Sequence, residues 1–411
     1  MHNYPREILS QPYDDRFAIR GLHFDIQNCC LLKVDAFSQI QKGTVFRGRR
    51  KLADEEVKSL YGGYTLPDAK GKEFTQLIDL FSLPWAGLLA TTIQFFDDTG
   101  IEFDPAVLYQ DVADSVGYVH ISGEMYSEVQ RDMKRYVHGN TGLGDYLSKL
   151  VSTNKQLFMV TNSPFEFMNT GMTYMLGSGW RDLFSHVVVN AKKPKFFSGC
   201  APFRLYDEKT KKLSYAKVTR LEKGRIYSGG NIDELSNRAG FGDQGVLYFG
   251  DHIYTDLADP MLRLGWGTAA IVPELAREIR SQNEDFYQKN ITWLETLTLL
   301  IERERSAAID DPEAKAAVFN PQFGSLFRTY HQMTFFSRRL CRLADIYTSR
   351  LPNLLKYDVD HAFFPRRNAL PHENLSGVSL VSKRLVRSMS YLAMKNFIVA
   401  KTKQENVKLL E

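Results

Sequence analysis

Residues 155–164, Lys-Gln-Leu-Phe-Met-Val-Thr-Asn-Ser-Pro, contain the pattern that decides the fold. A short apolar run ends at polar residues, and Ser or Asn followed by Pro is a typical helix start. Similar apolar runs recur further along the chain, with helical segments between them. Short buried strands that alternate with helices predict an α/β fold with one parallel, doubly wound sheet. The later runs are residues 186–190, 245–250 and 268–272.

The segments on either side of these strands are predicted to be mainly helical. Upstream, residues 74–96 and 105–140 have apolar residues at helical spacing. Downstream, residues 275–350 have the same character, for example over residues 291–306. The chain is basic from about Pro365 onwards, and this stretch is either a solvated face or a docking surface for an acidic partner.

The composition of the 411-residue chain argues against several classes of protein. A surplus of +4, from 52 basic and 48 acidic residues, gives no indication of nucleic-acid binding. No apolar run approaches the ~20 residues that span a bilayer. The N-terminal residues resemble neither a secretory signal nor, because several are acidic, a transit peptide. The cysteines lack the spacing of metal sites or disulfide scaffolds, which predicts reduced thiols in a cytoplasmic protein; they are Cys29, Cys30, Cys200 and Cys341.

Polar residues follow the first two predicted strands, at the edge where ligands bind in sheets of this kind. Thr161, Asn162 and Ser163 open a helix, whose dipole and free backbone N–H groups favour an anion such as phosphate. The same residue types also cap helices that bind nothing. Lys193 follows the second strand, where an ammonium group can balance the charge of a phosphoryl group. Exposed lysines are common, so neither feature alone identifies a site.

Two carboxylates follow the third predicted strand. Asp251 and Asp256 flank a short turn, and carboxylate oxygens are ligands that Mg²⁺ prefers. Alternatively, these aspartates cap the next helix. A hydroxyl, a lysine and an acidic pair after three strands of one sheet together indicate metal-assisted phosphoryl transfer, in which positioning and charge neutralisation do most of the catalysis.

With these motifs the chain resembles the haloacid-dehalogenase superfamily and, within it, the cytosolic 5′-nucleotidase family with its 5′-nucleotidase-domain-containing members. The resemblance runs in the same order from about residue 5 to residue 375. It implies a Rossmann-like parallel sheet, a mostly helical cap inserted upstream and a helical C-terminal extension. The segments that carry it are residues 158–163, 191–197 and 248–254, with Arg20-Gly21-Leu22, residues 31–35, 227–230 and 323–328, and Pro371-His372-Glu373.

The resemblance also implies a division of the chain. Residues 1–150 are the cap-like region, 151–275 the core, 276–375 the helical C-terminal part of the core unit, and 376–411 the basic tail. Members of the family tend to self-associate, which implies a homo-oligomer.

The activity implied is Mg²⁺-dependent dephosphorylation of nucleoside 5′-monophosphates, or of another small phosphomonoester, through an aspartyl phosphate. By the resemblance, Thr161 is the phosphate-binding hydroxyl and Lys193 is the catalytic lysine. Asp251 is the magnesium ligand, and Asp256 is its acidic companion.

The Asp-x-Asp-x-Thr/Val element that supplies the attacking aspartate in this superfamily is not found in the sequence. Gln27 stands where the second aspartate of such an element would follow Asp25, and a glutamine cannot transfer a proton as a carboxyl group does. The resemblance also implies that Asp25 lies downstream of the catalytic Asp-x-Asp element. Asp358 and Asp360 have the right spacing, but no convincing strand precedes them. A central strand of the sheet is therefore expected to be absent, which leaves buried edges unpaired.

Three readings of the function stay open. The chain is a magnesium-dependent 5′-nucleotidase, a non-catalytic member that binds nucleotide or protein, or a form of an active enzyme that lacks a strand upstream of Met1. Loss of a nucleophile typically removes several orders of magnitude in rate, so we expect this chain to be inactive or strongly impaired. A further N-terminal segment would also allow a mitochondrial location.

His120 is the cap residue that we expect to contact the substrate, although a packed core histidine is the alternative. In the purine-specific enzyme of the family, an Arg, an Asp and a Lys of the cap help to hold the nucleotide. The matching positions here are Ala113, Gly117 and Tyr126, so the base of the nucleotide need not be a purine.

Overall fold

A computed structural model describes most of the chain. The described residues are 3–66, 74–139, 142–241, 245–285, 320, 322–329 and 332–363. The predicted helix over residues 291–306 and the basic tail over residues 376–411 lie outside these ranges. Residues 1–359 form one compact unit.

The first part of the chain forms an antiparallel sheet that sequence analysis did not identify. Its strands are β1 (Leu22–Asp25), β2 (Cys30–Val34), β3 (Ile40–Arg47), β4 (Arg50–Lys51) and β5 (Phe74–Gln76). They lie in the order β4-β3-β2-β1-β5, and each neighbouring pair runs antiparallel. The prediction of a mostly helical region therefore does not hold over this part.

Helix α1 (Asp54–Tyr61) lies between β4 and β5, and further helices follow the sheet, as the prediction for residues 105–140 required. They are α2 (Ser82–Thr99), α3 (Pro105–Ile121), α4 (Glu124–Arg131), α5 (Met133–Tyr136) and α6 (Leu143–Ser152).

The helix predicted over residues 74–96 begins later than expected. Phe74–Gln76 pair with β1 as a strand, and helix α2 starts only at Ser82. Asp79 fixes this start, because its carboxylate accepts hydrogen bonds from the backbone N–H of Ser82 (2.8 Å) and from its hydroxyl (2.9 Å).

The four strands predicted in the second part of the chain are confirmed, and four more accompany them. They are β6 (Phe158–Val160), β7 (His186–Val189), β8 (Phe203–Asp207), β9 (Lys212–Leu213), β10 (Ile226–Gly229), β11 (Leu247–Gly250), β12 (Gly267–Ile271) and β13 (Ile346–Thr348). The helices are α7 (Phe165–Leu176), α8 (Lys195–Ser198), α9 (Ile232–Ala239), α10 (Asp259–Leu264), α11 (Leu275–Gln282) and α12 (Phe335–Leu343).

The prediction that these strands share one sheet is wrong for the described residues. One sheet has the order β6-β7-β10-β8-β9, and a second has the order β11-β12-β13. Strands β6, β7 and β10 run parallel to one another, as do β11, β12 and β13, whereas β8 and β9 are antiparallel additions. Strands β6 and β11 each pair on one side only within the described ranges, because no strand joins them there. They approach each other through the stacked rings of Phe158 and Tyr248, whose centroids are 6.2 Å apart.

The two aspartates considered for the nucleophile element, Asp25 and Asp358, do not follow a strand of the parallel sheets. Asp25 is buried at the end of β1, where its carboxylate accepts hydrogen bonds from Asn28 and Tyr61. Asp358 is exposed and follows the short 3-10 helix Leu351–Lys356 instead of a strand.

The four cysteines are unpaired, with Cys29 and Cys30 buried. No helix in the described ranges has the length and the apolar composition that a bilayer crossing requires.

Candidate phosphate and metal site

The loop after β6 carries the three predicted phosphate-binding residues. Its backbone continues the pairing with the β7 side, since Thr161 N–H donates to Val188 O (2.9 Å) and Thr161 O accepts from Ala191 N–H (3.0 Å). The Thr161 hydroxyl oxygen accepts the N–H of Ser163 (3.1 Å). No described residue accepts a hydrogen bond from the Thr161 hydroxyl, so this group can donate to an anion at the N-terminus of helix α7.

The loop after β7 is joined to the loop after β6. The N–H of Lys193 donates to the side-chain oxygen of Asn162 (2.6 Å), and the Asn162 amide donates to Lys193 O (3.1 Å). This reciprocal pair fixes the position of the Lys193 backbone relative to Thr161. Asn162 thus connects two of the predicted motifs.

The Lys193 side chain connects these loops to the acidic loop after β11. Its Nζ lies 2.7 Å from Asp256 Oδ1 and 3.4 Å from the hydroxyl of Tyr248. The side chains of Lys193 and Asp256 are 14% and 5% exposed, so the pair is largely shielded from water. Burial opposes the charge on Lys193, but Tyr248 and Asp256 outweigh it, and the pKa of the lysine is raised. Lys193 therefore stays cationic at neutral pH.

The acidic loop is compact because β11 ends in glycine. A Cβ on Gly250 would lie 2.3 Å from Cβ of Asp256, a distance that no side chain can tolerate. The other carboxylate oxygen of Asp256 accepts the N–H of His252 (3.3 Å). The Nδ1 of His252 in turn accepts the N–H groups of Tyr254 and Thr255, both at 3.2 Å.

The two predicted metal ligands occupy different environments. Asp251 is exposed, whereas Asp256 is buried and already paired with an ammonium group. Within the described ranges, no group of three or more His, Cys, Asp or Glu side chains could hold a metal ion. Mg²⁺ is commonly bound by one or two carboxylates, with water and substrate phosphate supplying the other oxygens. One free carboxylate beside a phosphate site fits that kind of coordination.

The structure brings the predicted residues of the three loops together. Asn162 contacts Lys193, Lys193 contacts Asp256, and Asp256 contacts the backbone beside Asp251. The contacts therefore form one continuous chain across the ends of β6, β7 and β11.

His120 lies on helix α3, and it is not a core histidine because its side chain is only half-buried. Its ring packs edge-on against Phe81, with centroids 4.9 Å apart, and Phe81 itself is 59% exposed. Two residues before Phe81, Asp79 Oδ2 lies 3.7 Å from His252 Nε2. This contact places the start of α2, and with it Phe81 and His120, on the side of the acidic loop.

The cap positions matched to purine-enzyme residues also differ in environment. A Cβ on Gly117 would meet no heavy atom within 4 Å, and Gly117 lies one turn before His120 on α3. Tyr126 is occupied elsewhere, since its ring packs on Phe167 with centroids 4.6 Å apart.

Sequence reasoning gave no site role to four residues around this site, although Arg20 and Tyr248 lie in segments that carry the resemblance: Arg20, Asp79, Phe81 and Tyr248. Arg20 donates to Asp251 O, and Tyr248 contacts Lys193. Local sequence gives no signal for such contacts, because the residues they join are far apart in the chain.

The sequence was compared with known proteins. The profile of the 5′ nucleotidase family matches residues 1–316 and 310–375. The chain is 45% identical to 5′-nucleotidase domain-containing protein 2 of Rattus norvegicus, over 90% of this chain and 71% of that protein. It is also 45% identical to the protein of the same name in Homo sapiens, over 90% of this chain and 76% of that protein. A 5′-nucleotidase domain-containing protein of Dictyostelium discoideum is 35% identical, over 90% and 66% of the two chains.

Proposed function

Because this chain belongs to the 5′-nucleotidase family, we propose that the three linked loops bind the phosphate of a nucleoside 5′-monophosphate together with Mg²⁺. The observation that carries the proposal is the contact chain from Asn162 through Lys193 to Asp256. It joins a helix N-terminus, a partly buried cation and an acidic loop, which is the combination that a phosphate–metal complex needs. We further propose that hydrolysis by this chain is absent or strongly impaired.

The phosphate would be held by groups from two of the loops. Lys193 supplies the fixed positive charge, and the Thr161 hydroxyl supplies a hydrogen-bond donor beside the start of α7. The backbone N–H groups at that helix start add further donors and the positive end of the helix dipole. These groups recognise the charge and the oxygens of the phosphate, so they do not distinguish one phosphate ester from another.

Magnesium would be held by Asp251, with phosphate oxygens and water completing its shell. When bound, Mg²⁺ neutralises negative charge on the phosphate. Asp256 has a different role in this proposal: it keeps Lys193 in place. An ammonium group 2.7 Å away makes Asp256 a poorer partner for a second cation than the free Asp251.

The proposal of impaired hydrolysis rests on the placement of the aspartates. Asp25 is buried in the antiparallel sheet and its carboxylate is engaged by Asn28 and Tyr61. It cannot reach a phosphate at the ends of β6 and β11 without unfolding that sheet. A catalytic nucleophile typically contributes several orders of magnitude in rate. A nucleotide-binding role without turnover is therefore favoured over an active phosphatase for this chain.

The base and ribose would lie on the cap side. Phe81 offers an exposed aromatic face there, His120 lies against its edge, and Gly117 leaves open space on the same helix. An aromatic face accepts any base, since all bases have a π-surface. These residues support a nucleoside monophosphate without selecting purine or pyrimidine.

The test is calorimetric titration of the purified chain with AMP and with UMP, with and without Mg²⁺, followed by a phosphate-release assay. We expect Mg²⁺-dependent binding and little or no release of phosphate. Asp251→Asn should remove the Mg²⁺ dependence. Asp233→Asn is the matched control, because Asp233 is an exposed aspartate that follows the parallel strand β10.

Two results would contradict the proposal in different ways. If neither nucleotide binds in the presence of Mg²⁺, the assignment of the site is wrong. If phosphate is released rapidly and Asp251→Asn abolishes the release, the site is correct but the chain is an active hydrolase.

A further inference from the structure

Arg20 is a fully buried arginine that lies directly behind the acidic loop. It precedes β1, and its side chain is 0% exposed. Its Nε and one terminal nitrogen donate to the two carboxylate oxygens of Glu274, at 2.8 and 2.6 Å. The other terminal nitrogen donates to the main-chain oxygen of Asp251 at 3.0 Å. One planar guanidinium group therefore joins residues that follow β11 and β12.

The guanidinium is itself held in place. It lies over the ring of Phe336, 5.0 Å from the centroid. The adjacent Gly21 packs against the same residue, because a Cβ there would come within 2.5 Å of Cβ of Phe336. The N–H of Gly21 donates to Leu77 O at 2.5 Å. Backbone and side chain are thus both fixed, and the direction of the donor toward Asp251 is set before any ligand arrives.

The arrangement has a consequence for the exposed carboxylate of Asp251. Because the carbonyl of Asp251 is hydrogen-bonded to buried Arg20, the backbone at this residue has a fixed orientation. Glu274 balances the charge of Arg20, so the clamp does not place an uncompensated cation behind the metal position. The Arg20–Glu274 ion pair is neutral overall, so it can orient the Asp251 carboxylate without repelling Mg²⁺.

We propose that Arg20 is a positioning residue that pre-orients Asp251 for binding a divalent cation. The inference rests on the proposed function, in which Asp251 holds Mg²⁺. Residues that orient metal ligands from behind typically change metal affinity by about 10–100-fold when they are replaced. Among the described residues, Arg20 makes no contact with the loops after β6 and β7, so its proposed effect on metal binding passes through Asp251 alone.

A purely structural role is the alternative, since buried arginine–carboxylate pairs also join parts of a fold. The chain contains a control with the same bonding pattern, Arg47, whose side chain is 30% exposed. Arg47 makes the same three kinds of bond, two to Asp97 at 2.9 Å each and one to the main-chain oxygen of Asn28 at 3.0 Å. It does so in the antiparallel sheet, with no contact to the acidic loop.

The experiment measures the affinity of the full chain for Mn²⁺ in the presence of saturating AMP, with Mn²⁺ used as an EPR-visible substitute for Mg²⁺. The variants are Arg20→Lys, Glu274→Gln and Arg47→Lys. Amide hydrogen exchange over residues 251–256 is recorded on the same samples, and thermal unfolding identifies variants that do not fold. We expect about 10-fold weaker Mn²⁺ binding and faster exchange in this segment for Arg20→Lys, and a smaller change in the same direction for Glu274→Gln. Arg47→Lys should alter neither quantity.

The outcomes separate the inference from the proposed function. If the wild-type chain binds no Mn²⁺, the proposed function fails and the inference fails with it. If the wild-type chain binds Mn²⁺ and folded Arg20→Lys binds it equally well, the inference is overturned while the proposed function stands. If Arg20→Lys does not fold, Glu274→Gln decides: unchanged affinity together with unchanged exchange would overturn the inference.

Discussion

Two lysines that are largely shielded from water, Lys33 in the antiparallel sheet and Lys193 at the ends of the parallel strands, are held in different ways. Lys33 Nζ donates to the main-chain oxygens of Phe323 (2.8 Å), Ser325 (2.5 Å) and Arg328 (2.7 Å). All three ammonium protons are therefore used. Lys193 Nζ contacts one carboxylate and, more loosely, one hydroxyl, and its third proton has no acceptor among the described residues.

The charge states of the two lysines differ accordingly. Burial lowers the pKa of Lys33 to about 7, and Glu278 offsets this only partly. The pKa of Lys193 is raised, because Tyr248 and Asp256 outweigh the effect of burial. A lysine that donates to three carbonyl groups holds two segments together, here strand β2 and residues 323–328. A lysine with one carboxylate partner and one N–H group without an acceptor keeps its charge and can bind an anion.

Lys33→Met gives the largest effect that this comparison predicts, and the effect is on stability. The buried carbonyl of Phe323 loses its donor at a cost of ~1–3 kcal/mol, and the part-buried carbonyls of Ser325 and Arg328 lose hydrogen bonds worth ~0.5–1.5 kcal/mol each, so the free energy of unfolding should fall by ~3 kcal/mol. Urea denaturation measures the change, with the exposed Lys51→Met of the same sheet as control. A fall below 1 kcal/mol would contradict a fastening role for Lys33.

Lys193→Met should instead act on ligand binding. Removing this ammonium group should weaken AMP binding by about 100-fold, or about 2.7 kcal/mol, since the phosphate loses its fixed counter-charge. Calorimetric titration of the folded variant measures this change. Lys192→Met is the control, because Lys192 is the exposed neighbour. Equal affinity in both variants would show that Lys193 is as structural as Lys33.

The low pKa of Lys33 predicts a specific pH dependence of stability. The group has a pKa of about 7 in the folded chain and an ordinary value of 10.5 when unfolded. Between these values the unfolded chain binds more protons, so the contribution of Lys33 to stability rises with pH, by up to ~1.4 kcal/mol per pH unit. The difference in unfolding free energy between wild type and Lys33→Met should therefore grow from pH 6.5 to pH 8.5. A constant difference would mean that Lys33 stays charged.

His120→Ala should give the smallest effect and separate the cap from the phosphate site. Loss of one ring beside Phe81 should weaken AMP binding by about 5-fold, within the ~0.5–1.5 kcal/mol typical of aromatic pairs. Binding of inorganic phosphate should not change, because the phosphate would be held by Lys193 and Thr161. Competition titrations with both ligands test this. A parallel loss for phosphate would place His120 in the phosphate site.

Sequence alone predicted four strands of the second part of the fold, for a physical reason, although it did not predict their division into two sheets. Strands such as His186–Val189 are continuous apolar runs, and polar residues directly after them mark the loops. The candidate residues at those loops could be named because each lies next to a strand end. The roles of Asp251 and Asp256 could not be separated in the same way, since only the contact with Lys193 distinguishes them.

The antiparallel sheet was missed because its strands contain buried polar residues that interrupt the apolar pattern. His23, Asp25 and Lys33 all lie in β1 or β2 and are at most 3% exposed. The acceptors of Lys33 are about 290–295 residues away in the chain, so nothing nearby indicates that it can be buried. Arg20 has the same property, with Asp251 231 residues away.

The glycine at the end of β11 has a consequence for how the family can vary. Its bare backbone gives Asp256 the room to lean against the strand and reach Lys193. An alanine at position 250 would push the Asp256 side chain away from Lys193, so any relative that keeps this ion pair needs a residue without a Cβ there.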